Sequence, residues 1–258
     1  MKSRAACMAT AHLLLLHTAG AMAQTQIENT GANSAIERTV TGHMTFRNMV
    51  NGQIRGGEDF RLIVHPDGTR QITIAKDFRA VNAQQTIVAR VDKNFRPLET
   101  YAAYWTAGGY KGAIFVTVRN RELRANAVGP KGHTEDVLEV PQNISVVHHG
   151  EIVNGWYLWA DDANAKGEQN VSSYVLNAAP GDDAQVSGLM RVSTFRRMGP
   201  ERVATPAGTF DAVHYVMSGL DMWIAGEDRL LVRQVDERNS REYLLTTIST
   251  ERKAAPAH

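Results

Sequence analysis

The chain has 258 residues, 43% of them hydrophobic and 21% charged, with 28 Lys and Arg against 27 Asp and Glu. This composition suits a packed globular core rather than a disordered chain, and a formal net charge of +1 gives no basic face for nucleic acid. The single cysteine, Cys7, lies near the start, so the rest of the chain has no disulfide, thiolate nucleophile or cysteine-based metal site.

Residues 1–23 follow the three-part grammar of a secretory signal peptide. Lys2 and Arg4 give a positive start, Ala9 to Leu16 is a short apolar run, and Ala21-Met22-Ala23 is a small-residue cleavage site. The run is too short to span a bilayer, and no later segment reaches the roughly 18 apolar residues that insertion requires. The expectation is a periplasmic protein with no stable membrane insertion, starting near Gln24 and close to neutral once Lys2 and Arg4 are removed. Cys7 precedes the apolar run, which rules it out as a lipid-attachment residue after cleavage.

Residues 24–35 read as a flexible leader. Alternation then begins: Ile36, Val40, Met44 and Phe46 fall on one face and Glu37, Thr39, Thr41, His43, Thr45 and Arg47 on the other, as in a half-buried strand. Phe60, Leu62 and Val64, the turn at Pro66-Asp67-Gly68, and Ile72 and Ile74 make a β-hairpin over 58–77. Further strands are predicted at 86–91, 97–106, 113–118 and 122–128, broken by Gly108-Gly109 and closed by Gly129-Pro130-Lys131-Gly132. No crossover helix fits between them, which favours an antiparallel meander.

The middle of the chain, 133–185, is irregular. Any helix is expected there, over 151–163 or 171–176, although Gly155 interrupts the first and Ser and Asn dilute the second. Pro180-Gly181-Asp182-Asp183 reads as a turn. Strands resume at 188–196, 201–205, 212–218, 222–225, 230–237 and 242–249, and residues 251–258 read as a disordered tail. The expected fold is all-β: an antiparallel meander forming a curved sheet or open barrel over 36–250, one domain with at most one or two short helices.

The stretches ERVATPAGTFDAV at Glu201–Val213 and WIAGEDRLLVRQV at Trp223–Val235 resemble the tail of a family of exported bacterial all-β proteins of unknown function. That resemblance covers about a quarter of the chain and implies an elongated half-open barrel similar to periplasmic lipoprotein and lipid carriers. It brings no catalytic signature.

Chemistry concentrates in the middle. His148 and His149 are adjacent, so in extended chain only one faces an interior; a histidine there suits a general base near neutral pH. Tyr104, Tyr157 or an arginine could supply the donor for developing negative charge. Tyr101, Tyr104 and Trp105 share one predicted strand, and Trp156, Tyr157 and Trp159 follow the histidines. Such side chains suit a pocket for an aromatic or lipid-like ligand, or else simply fill the core. The histidines lack metal-ligand spacing, and no nucleophile elbow or phosphate loop is present, so neither metal nor cofactor is expected. Two functions fit. One is a periplasmic protein binding a small apolar or aromatic molecule through Tyr101, Trp105, Trp156, Tyr157 and Trp159. The other is a cofactor-independent lyase, isomerase or hydratase using His148, His149 and Tyr104 on an aromatic or isoprenoid-like substrate. Free strand edges leave room for a homodimer or for recruiting a partner by strand addition.

Overall fold

In the computed structural model, residues 36–178 and 185–252 are described, and they form one fifteen-stranded sheet. The signal-like segment 1–23, the leader 24–35 and the turn at 180–183 lie outside the described residues.

The first eight strands are β1 (Arg38–Asn48), β2 (Ile54–Val64), β3 (Arg70–Phe78), β4 (Ala83–Val91), β5 (Pro97–Thr106), β6 (Gly109–Arg119), β7 (Glu122–Gly129) and β8 (Gly132–Glu139). They form an antiparallel meander in which each strand pairs with the next. The short β9 (Ser145–Val147) and a single helical turn, α1 (Asn154–Tyr157), follow. A second meander contains β10 (Glu168–Ala178), β11 (Val186–Thr205), β12 (Gly208–Met217), β13 (Leu220–Ala225), β14 (Leu230–Asp236) and β15 (Arg241–Arg252). The first and last strands join the two: β1 pairs with β15 from Arg38↔Arg252 to Asn48↔Arg241.

Alternation explains the curl. Val40, Met44 and Phe46, Phe60 and Leu62, Ile72 and Ile74, and Ile87 and Ala89 are buried on the concave face, while their neighbours in sequence face outward. The end of the sheet carrying β9 and β10 tucks against the concave side of the first meander. There β9 touches β5, β11 touches β6 and β7, and the Tyr174 hydroxyl donates to Asp136 of β8 at 2.6 Å. β8 and β9 end the strand order without pairing to each other, so the barrel stays open.

Residues 144–158 fill the space enclosed. Ile152, Val153, Trp156, Tyr157 and Leu158 are all buried against the concave face, so the interior is packed by the chain itself. Gly155 owes its place here to packing. A Cβ on it would lie 2.2 Å from the Arg229 carbonyl oxygen and 2.5 Å from Ile224 Cγ2. Gly155→Ala is expected to lower unfolding free energy by about 1–3 kcal/mol, the range for overpacking a filled core, as read by the shift in urea midpoint.

The structure corrects several sequence expectations. Residues 171–176 are strand, because β10 is covered on both faces and so loses the period-two signal. Over 151–163 only a 3-10 turn at Glu151–Val153 and the single turn α1 are helical. The strands expected at 188–196 and 201–205 are one 20-residue strand, β11, with an irregularity between Arg197 and Gly199 that carries it past Pro200. Glu251 and Arg252, expected in the tail, extend β15 alongside β1. Among the described residues, no helix is long and apolar enough to cross a membrane.

Candidate functional site

The adjacent histidines diverge. His148 points into the packed interior and is 2% exposed. Its Nδ1 accepts the Gly150 N–H at 3.2 Å and lies 3.2 Å from the Tyr157 hydroxyl. Tyr157 in turn donates to the Gly150 carbonyl at 3.3 Å. An acceptor Nδ1 places the neutral ring's proton on Nε2. Burial, then the neighbouring His149 and Lys76, pushes the His148 pKa down to about 3, so the ring is neutral in the folded protein. The hollow beside it, walled by Phe95, Trp156 and Tyr157, measures only about 10 Å³. His148 and Tyr157 therefore pin the turn together and leave no space for a guest.

A pH dependence follows. Folded His148 resists protonation while the unfolded residue takes a proton near its ordinary pKa of about 6.5. Its contribution is thus complete above that value and lost as pH falls towards about 3, at up to about 1.4 kcal/mol per pH unit. His148→Asn keeps an acceptor near Nδ1 but cannot titrate. Urea midpoints measured between pH 7 and pH 4 are expected to fall less steeply for it than for wild type.

His149 takes the left-handed conformation, φ 61°, and turns the chain so that its half-buried ring faces a hollow of about 220 Å³ at one end of the sheet. Lys76, Phe78, Gln85, Glu151, Arg241 and Tyr243 share that hollow. The turn is held from below by Glu58, which accepts the backbone N–H groups of Glu151 at 2.9 Å and Ile152 at 3.1 Å and so satisfies the helical N-terminus. Glu58 and Lys76 are directly opposed in the β2–β3 ladder, with Lys76 Nζ 3.4 Å from Glu58 and 3.1 Å from Glu151. Lys76 also donates to the His149 carbonyl at 2.7 Å.

One ammonium between two carboxylates separates their chemistry. Burial raises the Glu58 pKa against the pull of Lys76. Burial also works against charge on Glu151, but Lys76, His149 and the Asn154 amide together offset it and the carboxylate is held low. His149 is pushed down by burial, with Glu151 pulling the other way. Tyr104 is raised well above its ordinary value by burial alone and keeps its proton.

Six side-chain polar atoms among the described residues are buried without a partner. Two of them, Arg38 Nε and Arg90 Nε, belong to residues that do not bear on this hollow, whereas Gln85 and Arg241 line it. Gln85 Oε1, the Tyr104 hydroxyl, Arg55 Nε and Arg241 Nε are buried without a hydrogen-bond partner. Gln85 and Tyr104 oppose each other across β4 and β5. The Arg55 and Arg241 guanidiniums lie 6.0 Å and 5.8 Å from the centroid of the Phe78 ring. Buried polar groups left unsatisfied call for a bound partner or water. Among the described residues, neither arginine pairs with a carboxylate, and no group of three or more His, Cys, Asp or Glu is placed to hold a metal.

The other sequence-predicted residues scatter. Tyr101 and Trp105 face outward, each 40% exposed, with Tyr110 and Phe115 beside them on the convex surface. Trp156 packs in the interior and donates to the Asp228 carbonyl at 2.8 Å. Trp159 lies at the opposite end, in a hollow of about 620 Å³ with Leu98, Val118 and Ile144, where none of the lining polar groups is buried without a partner. A fourth hollow, about 270 Å³ and largely apolar, opens where β14 and β15 part beyond their four paired residues, between Leu230, Val232, Leu245 and Ile248. Sequence reasoning named His149 and Tyr104 but missed Glu58, Lys76, Gln85 and Arg241. The available signal was phase, since Glu58 and Lys76 share the buried register of Phe60 and Ile74.

No family model and no curated protein matches this sequence. Two solved structures are similar in fold. A DUF1089 family protein from Pseudomonas aeruginosa matches 68% of this chain and 87% of its own, with 13% identity and a TM-score of 0.42. A β-barrel-like protein of domain of unknown function DUF1849 from Brucella abortus matches 85% of this chain and 100% of its own, with 8% identity and a TM-score of 0.41. Both likenesses concern β architecture only.

Proposed function

We propose that this protein binds a small aromatic molecule bearing an acidic group in the hollow beside His149. The observation that carries the reading is the presence of two unpartnered polar atoms, Gln85 Oε1 and Arg241 Nε, on residues lining a small hollow with aromatic walls. Phe78 and Tyr243 offer faces for a flat ring, Arg241 offers a donor and charge for an acid, and Gln85 adds to the polar rim. Arg55 and Tyr104 do not line the hollow; Arg55 lies by the Phe78 ring and Tyr104 opposes Gln85 on the neighbouring strand. At about 220 Å³ the hollow lies below the roughly 300 Å³ at which drug-sized ligands begin, which favours one ring system over a lipid. The signal-like residues 1–23 support a periplasmic setting.

Titration calorimetry with phenylacetate and indole-3-acetate tests the reading. Saturable binding is expected, weakened about tenfold or more by Arg241→Gln. Binding that is absent, or indifferent to Arg241, argues against it.

The lyase or isomerase alternative has its own support. His149, kept neutral by burial, would act as base on the same bound molecule. His149→Asn tolerates the left-handed backbone and removes the base. Turnover by wild type that this variant loses while binding persists would favour catalysis. A ligand recovered unchanged from wild type would favour binding alone.

A further inference from the structure

A second feature lies away from that hollow, on β11. β10 pairs with one edge of β11 over Val186–Arg196, whereas β12 pairs with the other edge only from Phe195 onward. The β12-side edge of 186–194 therefore has no strand paired to it among the described residues. The sequence there, VSGLMRVST, contains no proline and one charge, and its pairing with β10 runs without a bulge. Leu189, Met190 and Val192 are 44%, 42% and 66% exposed.

Proteins normally protect such an edge with charges, proline, bulges or brevity. This chain does so elsewhere: β8 presents His133, Glu135, Asp136 and Glu139, and β9 has only three residues. The β11 edge has, of these, only the single charge of Arg191. Beside it lies a hollow of about 520 Å³, where Arg191, Thr194 and Arg196 meet Val216, Ser218 and Gly219 of the next hairpin. Arg191 forms no ion pair among the described residues, and Arg196 faces Glu168 across the ladder without forming one.

We propose that the 187–194 edge of β11 is a strand-addition site for an extended segment of another protein, one alternating apolar residues with an acidic residue. The main chain of the segment would continue the sheet, its apolar side chains would cover Met190 and Val192 on one face, and its acid would meet Arg191 on the other. Charge selects against a second copy of this edge. Two antiparallel copies would bring their Arg191 side chains close together with no acid between them.

The probe is a fluorescein-labelled peptide, Val-Thr-Val-Glu-Val-Thr-Val, titrated into the whole protein by fluorescence anisotropy. Saturable binding is expected, weaker by about tenfold or more when the glutamate is replaced by lysine, with that preference reversed by Arg191→Glu. N-methylation of alternate peptide amides should abolish binding without any change to the protein, because it removes the ladder donors. Hydrogen exchange should slow at Ser187–Thr194 in the complex. The proposal is overturned by absent binding, equal binding of both peptides, insensitivity to N-methylation, or protection confined to other strands. It is equally overturned if sedimentation shows this edge occupied by a second copy of the protein.

Discussion

Replacing Lys76 with methionine is expected to lower the unfolding free energy by about 3–5 kcal/mol at pH 8, as removing one member of a buried ion pair does. Among the described residues, Lys76 is the only ammonium placed between Glu58, whose side chain is fully buried, and Glu151. Without it two carboxylates remain in a low-dielectric end of the sheet, and their pKa values rise above those of the unfolded chain. A group with a raised folded pKa stabilises at low pH and loses that contribution as pH rises. The deficit should therefore be smaller at pH 5 than at pH 8, and Glu58→Gln in the Lys76→Met background should recover part of it. Urea unfolding at the two pH values checks both statements. A pH-independent deficit below about 1 kcal/mol would show that the cluster contributes little.

Asp228→Ala is expected to have an effect of similar size for a different reason. Asp228 sits in the turn between β13 and β14 and accepts from Arg38, 190 residues away, and from Arg70 Nε at 3.0 Å. All three side chains are buried. Arg70 also donates to the Gly68 carbonyl at 2.9 Å and lies 4.4 Å from the Phe95 centroid, beside Trp156. The ion pairs thus fasten the second meander to β1 and β3 over the packed interior. Removing the carboxylate leaves two buried guanidiniums without their shared acid, Arg38 keeping only Glu227 at 3.2 Å and Arg70 only backbone carbonyls, for an expected loss of about 3–5 kcal/mol in urea unfolding. Asp228→Asn keeps the shape and loses the charge, so it should fall between wild type and Asp228→Ala. Equal stability of all three would mean that packing alone closes this end.

The strands legible in sequence were those with one buried and one wetted face, such as 36–46 and the hairpin over 58–77. β8 escaped because Gly132–Glu139 is exposed on nearly every residue, so no alternation marks it. β10 escaped because both its faces are covered, leaving Ser172, Ser173 and Leu176 without rhythm. The middle segment was recognisable as irregular and rich in His and Trp. Its role as the filling of the barrel was not, because that depends on how far the sheet curls. At the site, residue type pointed to His149 and Tyr104. Lys76 and Glu58 read as ordinary strand polar residues until their phase is compared with Ile72, Ile74, Phe60 and Leu62. Arg241 meets them only because the last strand pairs with the first.

Native mass spectrometry of protein purified gently from its own host tests the ligand site most directly. The expected spectrum shows one organic adduct per chain, with the mass of a single-ring acid, displaced by indole-3-acetate and absent from Arg241→Gln at unchanged melting temperature. Protein uniformly at the mass of the bare chain, or an adduct retained by Arg241→Gln, would contradict a guest held between Phe78, Tyr243 and the Arg241 guanidinium.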